Sequence, residues 1–338
     1  MYGLVVVLAS VPLTRLTRAV PRRLLLCALL GLYACSALAA AAAPGYGGLV
    51  LARVVTALSQ ALFWSVVVPV AAGLFPAAVR GRVLAVVFGG GSLAAVVGVP
   101  LGTWIGQHLG WRWSFAALAG AGAVGVVALA TSLPAAGGSL DPAGRGSEPD
   151  RRRFRAVLAM TVLATTGTFT FFTYLSPYLA AVAVPAGLLS LVLLLRGLAG
   201  IAGVAVGGPL VDRRPRLSLA LPVAVQAGAL LLLFRPPGAV AAVVLVTLTG
   251  WAFGAFTTPL STRILQVAPG SVDLAVAGIS SAINAGITLG ALLGSGLVAA
   301  GTVSGTALAG GLLSLAALAL LRRDRPPGPE AAGVRPGR

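Results

Sequence analysis

The chain has 338 residues, 58% of them apolar and 9% charged, and its formal net charge of +17 comes from 24 basic residues that are all arginine. An ordinary soluble domain carries about 25% charged residues, so a water-soluble globular fold is excluded: it has no way to hide this much apolar surface. Nucleic acid is not the partner implied by the charge, because the arginines lie in short gaps between apolar runs rather than on one basic module with interleaved aromatics.

Apolar stretches able to cross roughly 30 Å of hydrocarbon as helices recur from end to end. In lipid every backbone polar group needs an internal partner, which leaves helical bundles and closed barrels. Ten-residue blocks of alternating character are absent, so the expected fold is all-α, a polytopic membrane helical bundle. Spans are expected at 1–14, 24–43, 49–74, 83–106 and 113–133, and then at 156–181, 187–211, 217–234, 239–261, 274–300 and 303–321, eleven in all.

In chain order, Cys27 and Cys35 fall in the second span, two turns apart with no CxxC and no histidine nearby. They read as small core residues rather than a metal or redox pair. The third span carries Arg53, which costs about 2.5–3.5 kcal/mol to place in the apolar region and so faces a cavity or a partner, unless it snorkels to headgroups. Gln60, Phe63, Trp64 and Ser65 follow as cavity candidates. The fourth span sets Gly98, Gly102 and Gly106 on one helix face, where a partner helix can approach closely, with Pro100 as a bend.

Residues 134–155 carry Pro, Gly, Ser, Asp141, Glu148, Asp150 and an arginine cluster, and read as a flexible linker between 1–133 and 156–321. Beyond it, Thr161, Thr165, Thr166, Thr168, Phe169, Thr170, Phe171, Thr173, Tyr174 and Ser176 make the richest polar and aromatic run. Hydroxyls in such a run also back-bond to their own helix. Arg196 lies near the middle of its span; Trp251, Phe253, Thr257, Thr258 and then Asn284 complete the cavity candidates. Gly286, Gly290 and Gly294 repeat the spacing of Gly98, Gly102 and Gly106, and Phe253 and Pro259 answer Phe63 and Pro69, at an offset of about 190 residues. Parallel repeats of this kind put a binding site at the interface of two halves.

Arginine crosses membranes reluctantly and gathers in cytoplasmic loops. If the first span enters the cytoplasm at its C-terminal end, alternation places Arg15, Arg18, Arg22 and Arg23, Arg80 and Arg82, the linker arginines, Arg213, Arg214 and Arg216, Arg263 and the arginines of the 322–338 tail inside. Only Arg112 and Arg235 fall outside.

Four segments resemble the major facilitator superfamily. The gap Gly207 to Arg216 (GGPLVDRRPR) has the outline of its cytoplasmic loop motif. Gly98, Val99, Pro100, Leu101, Gly102, Thr103 and Gly106, then Gly110 to Phe115 (GWRWSF), look like the antiporter motif of its fifth span and the following turn. Arg53, within Leu51 to Ala57, is similar to its fourth-span arginine, and Thr173 to Leu179 (TYLSPYL) looks like its drug and sugar efflux branch. The likeness to the arabinose-efflux and chloramphenicol-resistance branch covers nearly the whole chain.

That resemblance implies twelve spans, alternating access, and export of a drug-like or sugar-like small molecule across the cell membrane by a monomer. It implies no cofactor, with a proton gradient as energy source. It also implies gating loops at Arg18, Arg22 and Arg23 and at Asp212 and Arg213; Thr17 stands where the superfamily usually has Asp, so the first of these latches is weaker or differently made. Eleven spans against twelve means that Met1 falls inside what looks like the second span and the first is expected to be missing. No Asp or Glu falls inside any span, and His108 is too peripheral for a proton relay. Proton coupling therefore rests on the resemblance, and a transport-inactive membrane protein or scaffold is the alternative. No serine elbow, HExxH, paired carboxylates, phosphate loop or metal-ligand spacing occurs in a plausible context, so enzyme activity is not expected.

Overall fold

The computed structural model describes residues 2–17, 20–74, 83, 86–87, 90–91, 93–132, 148–235, 238–270 and 272–321. Among these residues every regular element is a helix: α1 (Tyr2–Leu16), α2 (Arg22–Ala41), α3 (Tyr46–Gly73), α4 (Val99–His108), α5 (Trp111–Ser132), α6 (Arg151–Phe172), α7 (Leu175–Ala181), α8 (Leu189–Arg213), α9 (Pro215–Leu233), α10 (Ala239–Val267), α11 (Val272–Ala299) and α12 (Gly305–Leu321). Seven stretches among the described residues are long and apolar enough to cross a membrane, and Gly3–Leu16, Leu217–Leu233 and Gly305–Leu321 are shorter apolar helices. The molecule is an all-α, multi-pass membrane bundle.

Two expected spans are not plain helices. The span at 156–181 breaks at Thr173 and Tyr174 into α6 and α7. Pro177 is the cause: it has no N–H to give the Thr173 carbonyl, and its ring crowds that carbonyl. The span at 83–106 enters α4 through a π turn, Ala94–Gly98, in which the Val99 N–H bonds the Ala94 carbonyl five residues back. Pro100 cannot bond the turn behind it, and the wider turn absorbs the gap.

The helices pack in a repeated pattern. α2 packs on α3 and α5, as α9 packs on α10 and α12, and α1 packs on α3, as α8 packs on α10. α6 packs on both α11 and α12. The two sets touch through α1 and α3 against α11 and through α4 against α8. Two arginines tie α2 to α5 at opposite ends: Arg23 donates to the Ala130 carbonyl, and Arg112 donates to the Ala43 carbonyl at 3.1 Å. Cations suit these positions, where the last carbonyls of a helix lack internal partners. The cysteines correct the sequence reading, since Cys27 is half-buried and Cys35 exposed; a thiol sits comfortably in lipid as a small apolar group.

Buried polar groups staple α6, α9 and α12 together. Gln226 Nε2 donates to the Ala164 carbonyl at 3.0 Å and to Ser314 Oγ at 2.8 Å, while its Oε1 accepts from Thr168 Oγ1 at 2.8 Å. Such bonds between membrane helices average about 0.6 kcal/mol each. Their larger contribution is to fix which faces meet.

The end of the linker docks on α10. Glu148 and Asp150 N–H groups donate to the carbonyls of Gln266 (2.8 Å) and Val267 (3.2 Å), covering the open end of that helix. Asp150 is the N-cap of α6, its Oδ1 accepting from the N–H groups of Arg152 (2.7 Å) and Arg153 (3.1 Å). The Arg153 N–H is the main cause holding this carboxyl below the usual range; slight desolvation opposes it, and the Arg152 N–H and both arginine charges reinforce it. A lowered folded value means the cap contributes its stability above the unfolded pKa and loses it as the pH falls through the folded one. Asp150→Ala will therefore melt below the wild type at neutral pH, and the difference will narrow on acidification below the usual carboxylate range. Asp150→Asn keeps the acceptor and should show little of that pH dependence. Melting curves of the purified protein across pH check this; a pH-independent difference would remove the charged cap.

Candidate functional site

The second set of helices brings together residues that the sequence leaves scattered. Phe169 of α6 lies edge-on to Phe253 of α10, with ring centroids 6.1 Å apart, and edge-on to Phe172 at 5.8 Å. Arg196 of α8 places its Cζ 3.9 Å from the centroid of the Phe172 ring. Arg196, Phe169 and Phe253 are thus one constellation contributed by three helices. Phe172 was not among the sequence candidates; its only signal was its place three residues after Phe169 on the same helix face.

Close backbone approach makes this arrangement. α8 and α10 meet through glycine: an added Cβ at Gly254 would lie 2.7 Å from the Gly200 carbonyl carbon, and one at Gly203 would lie 2.7 Å from the Ala255 nitrogen. Gly250 passes directly against the backbone of Arg196, and a Cβ there would come within 2.6 Å of the arginine Cγ. Arg196 shares the α10-facing stripe of Val192, Gly200, Gly203 and Gly207, while Leu191, Leu195 and Leu198 are exposed on other faces.

The hydroxyl-rich run on α6 is mostly self-satisfied. Thr161, Thr166, Thr170 and Thr173 donate to carbonyls four residues back, and Thr168 does so while also meeting Gln226. Thr165 is different: its Oγ1 is sealed from solvent and meets no partner, as is Ser281 Oγ on α11. Tyr174 donates to the Ala291 carbonyl of α11 at 2.9 Å, while Asn284 Nδ2 donates to the Ser280 carbonyl four residues back on its own helix at 2.9 Å. Trp251 is half-buried, with its backbone against Gly203.

On α3 the candidates form a second group. Thr56 and Ser59 face α2, where they meet Ser36 Oγ (2.9 Å) and the Leu29 carbonyl (2.7 Å), and Ala57 and Ala61 face Val6 of α1. Arg53, Gln60 and Trp64 occupy a different, half-buried stripe. The Arg53 guanidinium lies over the Phe115 ring of α5 at 5.7 Å, and Phe63 and Trp64 meet edge-on at 5.7 Å. Arg53 and Arg196 are each seven residues from the start of their helices, which sets both roughly 10 Å inside.

The two glycine trios differ in surroundings. Cβ atoms at Gly286, Gly290 and Gly294 would collide with α6, at Thr165 Cβ (2.6 Å), the Thr166 carbonyl oxygen (2.8 Å) and the Thr170 carbonyl oxygen (2.6 Å). At Gly102 nothing lies within 4 Å, Gly98 meets only Ala94 of its own turn, and Gly106 meets Ser114 Oγ at 3.3 Å. The close helix partner expected at Gly98, Gly102 and Gly106 is therefore not found among the described residues. Of the loop candidates, Arg22 begins α2 half-buried and Arg23 serves α5 as above. Arg18 lies outside the described residues, as do the side chains of Asp212 and Arg213 at the end of α8. Among the described residues no three of His, Cys, Asp and Glu gather as a metal site would require.

Known proteins match this chain along its length. The Major Facilitator Superfamily profile fits residues 1–269 and again 157–337. The MFS-type transporter YtbD of Bacillus subtilis (strain 168) is 32% identical over 337 residues, covering 95% of this chain and 83% of that protein. The inner membrane transport protein YdhP of Escherichia coli (strain K12) is 31% identical over 299 residues, covering 83% and 73%. Among solved structures, the transporter FucP in its outward conformation aligns with a TM-score of 0.68 at 16% identity, over 95% of this chain and 87% of that one, and shares the fold. Sequence profile, relatives and helix packing agree, and the chain belongs to the Major Facilitator Superfamily of membrane transporters.

Proposed function

We propose that this protein is a secondary active transporter of the bacterial plasma membrane that exports a small drug-like or sugar-like molecule by alternating access and proton antiport. The observation that carries the reading is the repeated packing: two helix sets wired alike, touching through α1 with α11 and α4 with α8. One set can rock against the other around a site between them. The sets are the halves 1–133 and 156–321, joined by the cytoplasmic linker 134–155 and followed by the cytoplasmic tail 322–338. The direction of export and the efflux branch rest on the likeness of Gly98 to Phe115 and of Thr173 to Leu179. Asp212 with Arg213, at the last turn of α8, is the latch of this scheme, where a carboxylate can take charge-assisted bonds that switching must break. The partners are lipid and cargo, and the working unit is a monomer.

The two sets differ at one place: α6 covers the glycine face of α11, while among the described residues no helix packs closely on the matching face of α4, and Leu101, Trp104, Val124 and Val127 on α4 and α5 are exposed. Proton coupling needs a group that can change charge in the pathway, and no Asp or Glu lies in the middle of a described helix. That shortage favours the second reading, a transport-inactive membrane protein or scaffold. Counterflow separates the two: vesicles holding the protein and preloaded with unlabelled cargo should transiently accumulate labelled cargo. Failure across drug and sugar panels would leave the scaffold.

A further inference from the structure

Among the described residues Arg196 is a cation without a counter-ion. Its Nε is sealed from solvent and meets no acceptor, and among the described residues no carboxylate pairs with it; the ion pairs there belong to Arg153 with Glu148 and Asp150. Arginine does not escape by losing its proton near neutral pH. Nor do Asp212, Glu148 and Asp150 reach it. Asp212 is sixteen residues further along α8, roughly 24 Å away. Glu148 and Asp150 dock at Gln266 and Val267, about sixteen residues along α10 from the Gly250 that touches Arg196, again roughly 24 Å. The Phe172 ring covers one face of the guanidinium and offsets part of the cost of its charge. That stacking leaves the in-plane donors free, and Nε with one Nη forms the side-on fork that takes a carboxylate through two parallel bonds.

We propose that Arg196 is the charge-recognition residue for an anionic cargo, a small amphiphilic carboxylate whose apolar part rests on Phe169, Phe172 and Phe253. This rests on the transporter reading and names the substrate class within it. The three rings supply an apolar, polarisable wall, and the Arg196 fork supplies the one charge at its edge. Cargo and arginine neutralise each other in a medium that penalises either alone. The same oxyanion chemistry is offered by a phospholipid headgroup, and the experiment distinguishes the two sources.

Full-length protein in a neutral maltoside detergent is titrated with benzoate, 3-phenylpropanoate, 4-phenylbutanoate and C6–C10 alkanoates, and with the corresponding amides, following tryptophan emission, since Trp251 lies two residues from Phe253. Wild type should bind at least one acid about tenfold or more tightly than its amide, because the amide leaves the buried cation unneutralised. Arg196→Gln should reduce that ratio to within about twofold, and Arg196→Lys, which keeps the charge without the fork, should fall between. Added phosphatidylglycerol should not displace the acid. Equal binding of acid and amide by wild type, binding of none of the acids, a preference that survives Arg196→Gln, or displacement by phosphatidylglycerol would each overturn the proposal. The wild-type comparison stands even if a variant does not fold. Counterflow of the preferred acid is measured separately: if binding discriminates but exchange is absent, the transporter reading fails while the anion site stands. If amides exchange as fast as acids, transport stands and the anion site falls.

Discussion

Replacing Gly254 with valine will lower the melting temperature of the detergent-purified protein by about 5 °C or more, or prevent its isolation, while Gly228→Ala will leave it unchanged or slightly raised. Both changes add carbon to a helix, and both remove a residue that costs about 0.8–1.0 kcal/mol relative to alanine in a helix interior. Only surroundings separate them. At Gly228 nothing lies within 4 Å of an added Cβ, so propensity acts alone. At Gly254 the new atom overlaps the main chain of Gly200, with Cα at 2.9 Å and the carbonyl carbon at 2.7 Å. Main chain cannot rotate aside as a side chain can, so the whole of α8 must move from α10. Overpacking of this kind costs about 1–3 kcal/mol, and here it also forfeits the close contacts that replace hydrophobic driving force between helices in lipid. Equal melting temperatures for Gly254→Val and wild type would mean that α8 and α10 do not approach as described.

The same contrast shows what the sequence makes legible. Apolar runs announce the helices because lipid leaves only helices and closed barrels and the alternation of a barrel is absent, and the breaks at Gly110 and Gly238, each with positive φ, fall between expected spans. The spacing of Gly98, Gly102 and Gly106 equals that of Gly286, Gly290 and Gly294, yet only the second trio meets a helix. Spacing reports a face able to accept a close neighbour; it carries no information on which helix arrives. Gly200, Gly203, Gly250 and Gly254 were open to the same reading and went unused, although they set the depth and direction of Arg196. Gln226 was likewise visible as a lone amide in an apolar run, but its partners, Thr168 and Ser314, are 58 and 88 residues away. The threonines of α6 mislead in the other direction. Their density suggests a binding wall, whereas back-bonding consumes most of them and leaves Thr165 as the one with an unmet hydroxyl.

Arg53→Ala will reduce counterflow by tenfold or more while leaving membrane insertion and yield intact. Insertion is safe because the change removes a residue that costs about 2.5–3.5 kcal/mol in the apolar region on the most lenient scales and puts alanine in its place. Loss of transport follows from the company Arg53 keeps. It shares its stripe of α3 with Gln60 and Trp64, away from the faces that α1 and α2 occupy, and its guanidinium lies over Phe115 at the start of α5. The residue thus spans from α3 to α5. A carboxyl on cargo or on a moving helix that comes within reach of this guanidinium would hold its proton less tightly, so the arginine would tune when that acid is charged. Alanine removes that control and should also flatten the pH dependence of exchange, which simple loss of packing would not do. A lipid-anchoring arginine behaves differently, since it needs only a headgroup and tolerates lysine. Normal exchange by Arg53→Ala, or full exchange by Arg53→Lys alongside an unchanged pH profile, would assign Arg53 to the membrane interface and shift the coupling site to another part of the bundle.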